Sequence, residues 1–355
     1  MHAGRASLVN RTMKVFVTGV NGYIGAVLAP YLLQRGLTVL GLDTGYYRDG
    51  WLYSDNRHLA HTPETLHKDL RDITERDLAG CDAVAHLAEL SNDPLGQNNP
   101  AVTRQINHKG SVTLAEAARA LGIRRFVYTS SCSVYGAGTG EFLDETSPTN
   151  PQTAYAECKV LVERDVGSMT GPDFCPVFLR NATAYGPSPR MRFDIVLNDL
   201  SALAWTTKRI AMVSDGSPWR PLVHVEDICE AVYRSLTAPQ DAVQGKIFNV
   251  GQNIENYRVR EIAEIVAEEF PGCEVTVGPS SGDNRSYRVS FDRIHRELPG
   301  FTCRFTARDG ARQLRNVFDR IQLSSDTYQF RAFTRLKQLK YLQQTRQIDD
   351  AFYWC

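Results

Sequence analysis

The sequence predicts an α/β fold with a doubly wound parallel sheet and a smaller carboxyl-terminal lobe. Two observations carry this prediction. Short apolar runs alternate with segments of helical period in the first half of the 355 residues, and later segments are rich in Gly, Pro, Ser and Arg. Alternating strands and helices favour a parallel sheet, because each parallel connection needs a crossover that is usually a helix. We expect the sheet domain over residues 13–176, the loop-rich lobe over 177–320 with some segments returning to the sheet domain, and a helical tail over 321–355.

The first strand–helix–strand unit is "MKVFVTGVNGYIGAVLAPYLLQRGLTVLGLD", in which the helical pattern ends at Gly36. Its two apolar runs around a glycine-rich bend are typical of a βαβ unit. The run "DAVAHLA" comes next and precedes a helical segment over about 107–121. The strand "RRFVYTSS" precedes the helix-like "AYAECKVLVERDV", and "CPVFLRNAT" follows that helix. In the tail, apolar residues recur at helical period, which predicts packing on the domain or on a partner subunit.

The composition excludes several classes of function. The 40 basic and 40 acidic residues cancel, so no overall field recruits nucleic acid or an anionic membrane. No run of about 18 apolar residues predicts a membrane span, and the first twelve residues lack the apolar stretch of a secretory signal. The eight cysteines have no C-x-x-C spacing, which indicates reduced thiols and no metal site. We therefore expect a cytoplasmic protein.

A glycine-rich turn opens the first predicted helix. In "TGVNGYIG", Gly19, Gly22 and Gly25 allow a tight turn, close backbone approach to a diphosphate and close helix packing, the pattern of a Rossmann-type dinucleotide site. Asp43 ends the second strand, where a carboxylate accepts hydrogen bonds from the adenosine ribose and repels a 2′-phosphate, which favours NAD over NADP. Alternatively, Asp43 only caps the following turn. The segment "HKDLRD" offers two residues where a third strand passes the adenine: Asp69 and Leu70.

A tyrosine and a lysine stand four residues apart on a predicted helix. The i, i+4 spacing puts Tyr155 and Lys159 on one helix face, and a nearby ammonium lowers the pKa of a phenol from its usual value of about 10. By itself this spacing also suits an ordinary surface pair. Together with the glycine turn, Asp43 and the upstream Ser131, it indicates an acid–base site.

These motifs resemble the extended short-chain dehydrogenase/reductase family, and within it the NAD-dependent nucleotide-sugar epimerases and dehydratases. The resemblance rests on "TGVNGYIG", "DLRD", "HLA", "INHKGS", "TSSCSVYG", "YAECK", "LRNATAYGP" and "RPLVHVED". It implies that Ser131 hydrogen-bonds the sugar hydroxyl, Tyr155 is the base, and Lys159 holds the nicotinamide ribose. It also implies that hydride passes to NAD and returns to the other face of a 4-keto sugar. Further cofactor contacts that it implies are Tyr23, Ile24, Leu87, Ala88 and Asn107.

Four residues depart from the family pattern. Where the 4,6-dehydratases carry an Asp-Glu pair, this chain has Cys132 and Ser133, which disfavours dehydration. Thr183 stands where the family often has Asn. Glu89 follows "HLA" in place of a small residue, either as a sugar-hydroxyl ligand or as an ordinary half-buried acid. Cys132 is either a proton-abstracting thiol, as in a C3/C5-epimerising branch, or a core residue, since strand side chains alternate.

The second lobe supplies candidate contacts for a nucleoside diphosphate sugar. Arginine grips phosphates bidentately, and the resemblance implies phosphate or sugar contacts at Arg220, Arg285 and Asn198. These candidates, each of which is alternatively a solvated surface residue, are Asn181, Arg190, Arg192, Asn198, Arg220 and Arg285. The resemblance also implies a homodimer formed by a four-helix bundle.

The predicted function is an NAD-dependent epimerase that inverts C4 of a nucleotide sugar. The alternatives are a C3/C5 epimerase, a reductase or a decarboxylase, and, in another class, a non-catalytic dinucleotide sensor.

Overall fold

A computed structural model describes residues 12–137, 141–212, 214–279 and 286–355. Its strands, numbered in chain order, are β1 (Lys14–Thr18), β2 (Thr38–Asp43), β3 (Glu64–His67), β4 (Ala83–His86), β5 (Arg125–Ser131), β6 (Phe142–Leu143), β7 (Cys175–Asn181), β8 (Thr183–Tyr185), β9 (Arg209–Ala211), β10 (Trp219–His224), β11 (Ile247–Val250), β12 (Asn256–Arg258), β13 (Glu274–Thr276) and β14 (Arg288–Val289).

The α-helices are α1 (Gly25–Gln34), α2 (Asn56–Ala60), α3 (Glu75–Leu78), α4 (Asp93–Asn98), α5 (Pro100–Thr103), α6 (Ser111–Ala120), α7 (Ala154–Gly167), α8 (Val196–Thr207), α9 (Val225–Thr237), α10 (Gln240–Val243), α11 (Val259–Glu269), α12 (Asp292–Glu297), α13 (Ala307–Ile321), α14 (Ser325–Gln329) and α15 (Arg335–Gln344). A π-helical stretch spans Arg104–Gly110. Short 3₁₀ helices span Leu70–Asp72, Cys132–Tyr135, Asn253–Glu255 and Arg331–Phe333.

The main sheet has seven parallel strands in the order β11-β7-β5-β4-β1-β2-β3. The chain moves from β1 outward to β3, returns to β4 beside β1, and then continues to the other edge. This order confirms the predicted doubly wound parallel sheet. Its strand order reverses between β1 and β4, and in such sheets the crevice at the carboxyl ends of these two strands is where ligands bind.

Both faces of the main sheet are buried, so its strands are continuous apolar runs. Along β1, Val15 and Val17 belong to one apolar cluster and Phe16 to another on the opposite face, as alternating strand side chains require. The first cluster continues into the second lobe, where it includes Leu222 and Phe318. One hydrophobic core therefore joins the sheet to that lobe.

Helix α1 ends at Gln34, and Gly36 follows with φ +80°, a left-handed conformation that glycine adopts without steric cost. The second lobe contains a three-stranded sheet in the order β12-β10-β8 and the strand pairs β13-β9 and β14-β6. Helices α8, α11 and α13 pack on one another beside these strands. In the described part of the chain, no helix has both the length and the apolar character that crossing a membrane requires.

Candidate active site

The glycine-rich turn between β1 and α1 lies at the point where the strand order reverses. Gly19 has φ +68°, and a Cβ atom there would lie 2.9 Å from the backbone nitrogen of Ala88. A Cβ on Gly25 would lie 2.1 Å from the carbonyl oxygen of Gly19. Side chains at these positions would therefore break the turn. Glycine leaves the backbone N–H groups and the start of α1 open to a ligand.

The turn forms one wall of a cavity that we call the glycine-loop cavity. The predicted cofactor residues that line it are Gly19, Gly22, Tyr23, Ile24, Gly25, Asp43, Asp69, Leu70, Leu87 and Ala88. The carboxylate of Asp43 accepts the backbone N–H groups of Asn21 at 3.0 Å and Gly45 at 2.8 Å. A carboxylate has about four acceptor sites, so it retains capacity for two ribose hydroxyls. Burial raises the pKa of Asp43, and these two N–H groups oppose that rise. The residues present therefore fit NAD.

The resemblance implied that Asn107 contacts the cofactor, but Asn107 is not among the described residues that line the glycine-loop cavity. Its side chain is fully buried and holds the backbone of Leu90, accepting its N–H at 2.9 Å and donating to its carbonyl at 3.1 Å. A nearby His86 is fixed in the same way, with its ring nitrogens 2.6 Å from the Thr18 hydroxyl and 2.7 Å from the Ser111 hydroxyl. Burial lowers the pKa of His86 to about 3. Asn107 thus supports the loop after β4.

The structure brings Ser131, Tyr155 and Lys159 together in a second cavity, which we call the tyrosine cavity. Ser131 ends β5. The helix that carries the other two, α7, begins at Ala154 and is capped by Thr153, whose hydroxyl accepts the N–H of Ala156 at 3.2 Å. Ser131 and Tyr155 both line this cavity, and the Lys159 ammonium lies 5.4 Å from the centre of the Tyr155 ring. Burial raises the pKa of Tyr155, and the nearby Ser131 hydroxyl opposes that rise. This is the arrangement expected of a proton-transfer site.

Glu89 lies on the wall that the two cavities share. Its carboxylate is 2.7 Å from the ammonium of Lys159 and accepts a hydrogen bond from the Tyr128 hydroxyl at 2.5 Å. The Glu89 and Lys159 side chains are only 2% and 5% exposed, so they form a buried ion pair. Burial raises the pKa of Glu89, while Lys159 and Tyr128 lower it. The sequence indicated an acid near the nicotinamide but not its pairing with Lys159.

Cys132 is buried and is not among the described residues that line the tyrosine cavity. Its thiol donates a hydrogen bond to the carbonyl of Arg180 at 3.1 Å, and burial raises its pKa. The thiol therefore points into the core, although Cys132 begins the 3₁₀ helix Cys132–Tyr135 that follows β5 and is not itself a strand residue. Ser133, the next residue, does line the cavity.

The candidate substrate residues divide into two groups. Asn181, Arg192 and Arg220 line the tyrosine cavity, and Thr183 is there as well. The described lining residues of that cavity do not include Arg190 and Asn198, while Arg285 lies outside the described residues. The lining residues that the sequence did not indicate are Ser91, Asn92, Asp93, Gln152, Thr153, Ile195 and Tyr287.

Arg190 and Asn198 are instead held by hydrogen bonds within the protein. Arg190 donates to the carbonyls of Tyr47 and Arg48 at 2.7 and 2.8 Å, near Asp43. Asn198 is fully buried, where its amide accepts the N–H of Gly186 at 3.0 Å. Arg335, from the carboxyl-terminal tail, lines the glycine-loop cavity instead, and no sequence motif pointed to it.

Comparison with known proteins places these motifs in one family. The model of the NAD dependent epimerase/dehydratase family matches residues 15–251. A UDP-glucose 4-epimerase of Mycolicibacterium smegmatis is 31% identical over 316 residues, covering 84% of this chain and 96% of its own length. A UDP-glucuronate 4-epimerase of Thermodesulfobacterium geofontis is 27% identical, covering 70% of this chain and 78% of its own.

Two solved structures have the same fold. The UDP-glucose 4-epimerase of Thermotoga maritima with UDP-glucose superposes with a TM-score of 0.75 at 20% identity, covering 88% of this chain and all of its own. MoeE5 in complex with UDP-glucuronic acid and NAD gives a TM-score of 0.73 at 26% identity, covering 87% of this chain and all of its own.

Proposed function

The chain belongs to the NAD-dependent epimerase/dehydratase family, and we propose that it inverts C4 of a nucleoside diphosphate sugar. The observation that carries the proposal is the presence of the pair Tyr155 and Ser131, with Lys159, in one cavity that shares a wall with the glycine-loop cavity. A sugar hydroxyl bound at this pair lies beside the cofactor site. The proton can then leave the hydroxyl oxygen while the hydride leaves the carbon that bears this hydroxyl.

Each residue of the pair has a defined task in this proposal. NAD, when bound, supplies the acceptor that takes the C4 hydrogen as hydride and gives it back. The hydroxyl of Ser131 orients the sugar hydroxyl, and Tyr155 accepts its proton as the 4-keto sugar forms. The ammonium of Lys159 favours the phenolate form of Tyr155. When the 4-keto sugar turns over in the cavity, Tyr155 returns the proton, so the overall reaction needs no second substrate.

The environment of Cys132 favours C4 inversion over proton abstraction at C3 or C5. A thiolate is needed to remove a carbon-bound proton, and burial raises the pKa of this thiol while its S–H points to the carbonyl of Arg180. Cys132 and Ser133 also replace the Asp-Glu pair that dehydration requires. These features argue against epimerisation at C3 or C5 and against dehydration.

The polar lining of the tyrosine cavity suits a sugar that carries a diphosphate. Arg192 and Arg220 supply two cations there. The amide oxygen of Asn181 is buried without a hydrogen-bond partner among the described atoms, and buried acceptors in proteins are normally paired. A sugar hydroxyl would satisfy this oxygen. Uridine diphosphate sugars are the first to test, because relatives and neighbours of this chain carry them in their names.

The test is proton NMR of the purified protein with a panel of nucleotide sugars in deuterated water and without added cofactor. We expect a new anomeric signal from one sugar and no deuterium in the product, because the C4 hydrogen returns as hydride. One deuterium at C3 or C5, lost in Cys132→Ala, would replace the proposal with C3/C5 epimerisation. Bound NAD without conversion of any sugar would favour a non-catalytic sensor.

A further inference from the structure

The carboxyl-terminal segment, residues 331–355, lies against the glycine-loop cavity. It contains α15 and an end in which Ile348 and Trp354 form an antiparallel bridge. Its apolar side chains share a cluster with residues of the cofactor side, and the buried members of that cluster are Tyr46, Leu90, Leu95, Val102, Ile106, Leu339, Leu342, Ile348 and Phe352. The family model ends at residue 251, so this packing is an addition to the matched core.

The end of the segment binds the loop that follows Asp43. The indole nitrogen of Trp354 donates to the carbonyl of Thr44 at 2.6 Å, one residue after Asp43. The hydroxyl of Tyr46 donates to the carbonyl of Phe352. The rings of Tyr46 and Trp354 also lie 6.0 Å apart. These contacts hold the loop that carries the ribose-binding carboxylate.

The same end binds the second loop of the adenosine side. Arg71 pairs with Asp69 at 2.8 Å, and its guanidinium donates to the carbonyl of Ala351 at 2.6 Å. The Arg71 guanidinium lies 3.6 Å from the centre of the Tyr353 ring. Tyr353 thus covers the side chain that fixes Asp69. An outer cavity at this place is lined by residues of the segment and of both loops, including Asp43, Asp69, Tyr353 and Trp354.

Arg335 brings a buried positive charge to the glycine-loop cavity. It is 2% exposed, and its guanidinium lies 4.1 Å from the centre of the Tyr47 ring. The guanidinium donates only to backbone carbonyls in the described contacts, those of Ala332 at 3.3 Å and Arg190 at 3.2 Å. An arginine that is buried in this way normally faces an anion.

The charges around Arg335 leave its guanidinium without a carboxylate of its own. Among the ion pairs of the described residues, Asp194 is taken by Arg192 at 2.8 Å, and none involves Arg335. The pKa of Arg335 is lowered to about 10, mainly by burial and secondly by the positive charge of Arg192. A buried cation in such surroundings is stabilised by a nearby anion. The diphosphate of a dinucleotide, with two negative charges, is an anion of the right chemistry for this cavity.

We propose that the carboxyl-terminal segment is part of the dinucleotide site: Arg335 supplies charge for the cofactor diphosphate, and residues 350–355 hold the two loops around the adenosine. The bound cofactor then leaves slowly, because release requires these loops to separate from the segment. This inference rests on the NAD dependence of the family and not on the proposed C4 chemistry. Its failure and the failure of the proposed function are therefore distinguishable.

The experiment follows exchange of the bound cofactor against isotopically labelled NAD by native mass spectrometry, with no sugar present. Arg335→Met should weaken NAD binding about tenfold or more, the loss expected for one charge-assisted contact. Deletion of residues 350–355 should speed label exchange by about tenfold or more, since most affinity differences between related complexes lie in the dissociation rate. Circular dichroism and thermal unfolding of the NAD-saturated proteins report whether each variant is folded.

Arg346→Met is the matched control, because Arg346 belongs to the same segment but its side chain is exposed. It should leave both affinity and exchange rate unchanged. A folded Arg335→Met with unchanged NAD affinity, or a folded deletion variant with unchanged exchange, would overturn the proposal. If the deletion variant does not fold, Trp354→Phe takes its place: it removes the hydrogen bond to Thr44, and an exchange rate equal to that of the unaltered protein would overturn the role of this end of the segment.

Discussion

Removal of the Tyr155 hydroxyl should reduce turnover without reducing NAD binding. Tyr155→Phe keeps the ring but removes the proton acceptor, so turnover should fall by roughly 10²–10⁴-fold, the usual worth of a positioned acid–base group. NAD content after purification should stay unchanged, because the glycine-loop cavity is not lined by Tyr155 among the described residues. Progress curves and the absorbance of denatured extracts measure the two effects. Normal turnover of the variant would contradict the assignment.

Glu89 sets the charge balance around that hydroxyl. Burial raises the pKa of Tyr155, and the carboxylate of Glu89 raises it further by opposing the phenolate. Glu89→Gln removes this negative charge, so the pKa of Tyr155 falls and the acid limb of the kcat/KM profile should move to lower pH. The other groups that act on this site, Lys159, Tyr128, Asp93 and Arg192, stay unchanged.

Tyrosinate absorbance and the displacement of the pH profile distinguish a lowered pKa of Tyr155 from a simple loss of packing around Lys159. Difference absorbance of tyrosinate during a pH titration reports ionisation directly, and it should start at lower pH in Glu89→Gln. Glu157→Gln is the control. Glu157 lies on α7, the helix that carries Tyr155, but its side chain is 42% exposed and pairs with Arg104. A pH profile that is lower in height but not displaced would mean that Glu89 only packs Lys159.

Residues that a motif specifies through the backbone could be predicted from the sequence. The glycine turn needs Gly19 and Gly25 for steric reasons that hold in any protein with this turn, and the i, i+4 spacing directs Tyr155 and Lys159 to one side. The orientation of Arg190 and of Arg335 depends on backbone carbonyls that are distant in sequence, those of Tyr47 and Arg48 for Arg190 and that of Arg190 for Arg335. No local pattern carries that information.

At the scale of the element, the turn between β1 and α1 is the most constrained part of the site. Gly19→Ala forces a side chain into a left-handed conformation and against the backbone of Ala88, which should lower the free energy of unfolding by about 1–3 kcal/mol. The displaced turn should also lose NAD. Thermal unfolding and cofactor content measure both effects.

Gly167→Ala is the matched control for that substitution. Gly167 is the last residue of α7, its φ is not positive, and an added Cβ meets no described atom closer than 3.8 Å, on Phe178. Alanine there should leave NAD content unchanged and stability unchanged or slightly higher, because glycine is the poorer helix former. Equal NAD content in the Gly19→Ala and Gly167→Ala proteins would contradict the role of the turn.

The sheet elements were predictable because parallel strands buried on both faces are continuous apolar runs, as in β1 and β7. The helix expected over about 107–121 is instead a π-helical stretch followed by α6. The sequence has no signal for that change of helical pitch, because Asn107 forms its hydrogen bonds with the distant Leu90. The break between α13 and α14 is local: Gln322 has φ +50°, and the Ser324 hydroxyl accepts the N–H of Thr327 at 3.1 Å at the start of α14.

At the scale of the whole molecule, α6 and α7 pack side by side on one face of the main sheet. We expect this face to form a homodimer in which two such pairs make a four-helix bundle. Leu161 on α7 is partly exposed and lies outside the apolar clusters of the described residues. A leucine in this position is a candidate for burial against the same residue of a second copy, because a two-fold interface brings equivalent surfaces together.

Light scattering at micromolar concentration should therefore give twice the chain mass of 39.7 kDa. Leu161→Asp should give a monomer, since the dimer would bury two carboxylates against one another, and circular dichroism should remain unchanged because the side chain lies outside the monomer core. Leu59→Asp is the control, as Leu59 is 72% exposed on α2. An unaltered protein that is monomeric, or a Leu161→Asp protein that stays dimeric while folded, would exclude this face as the interface.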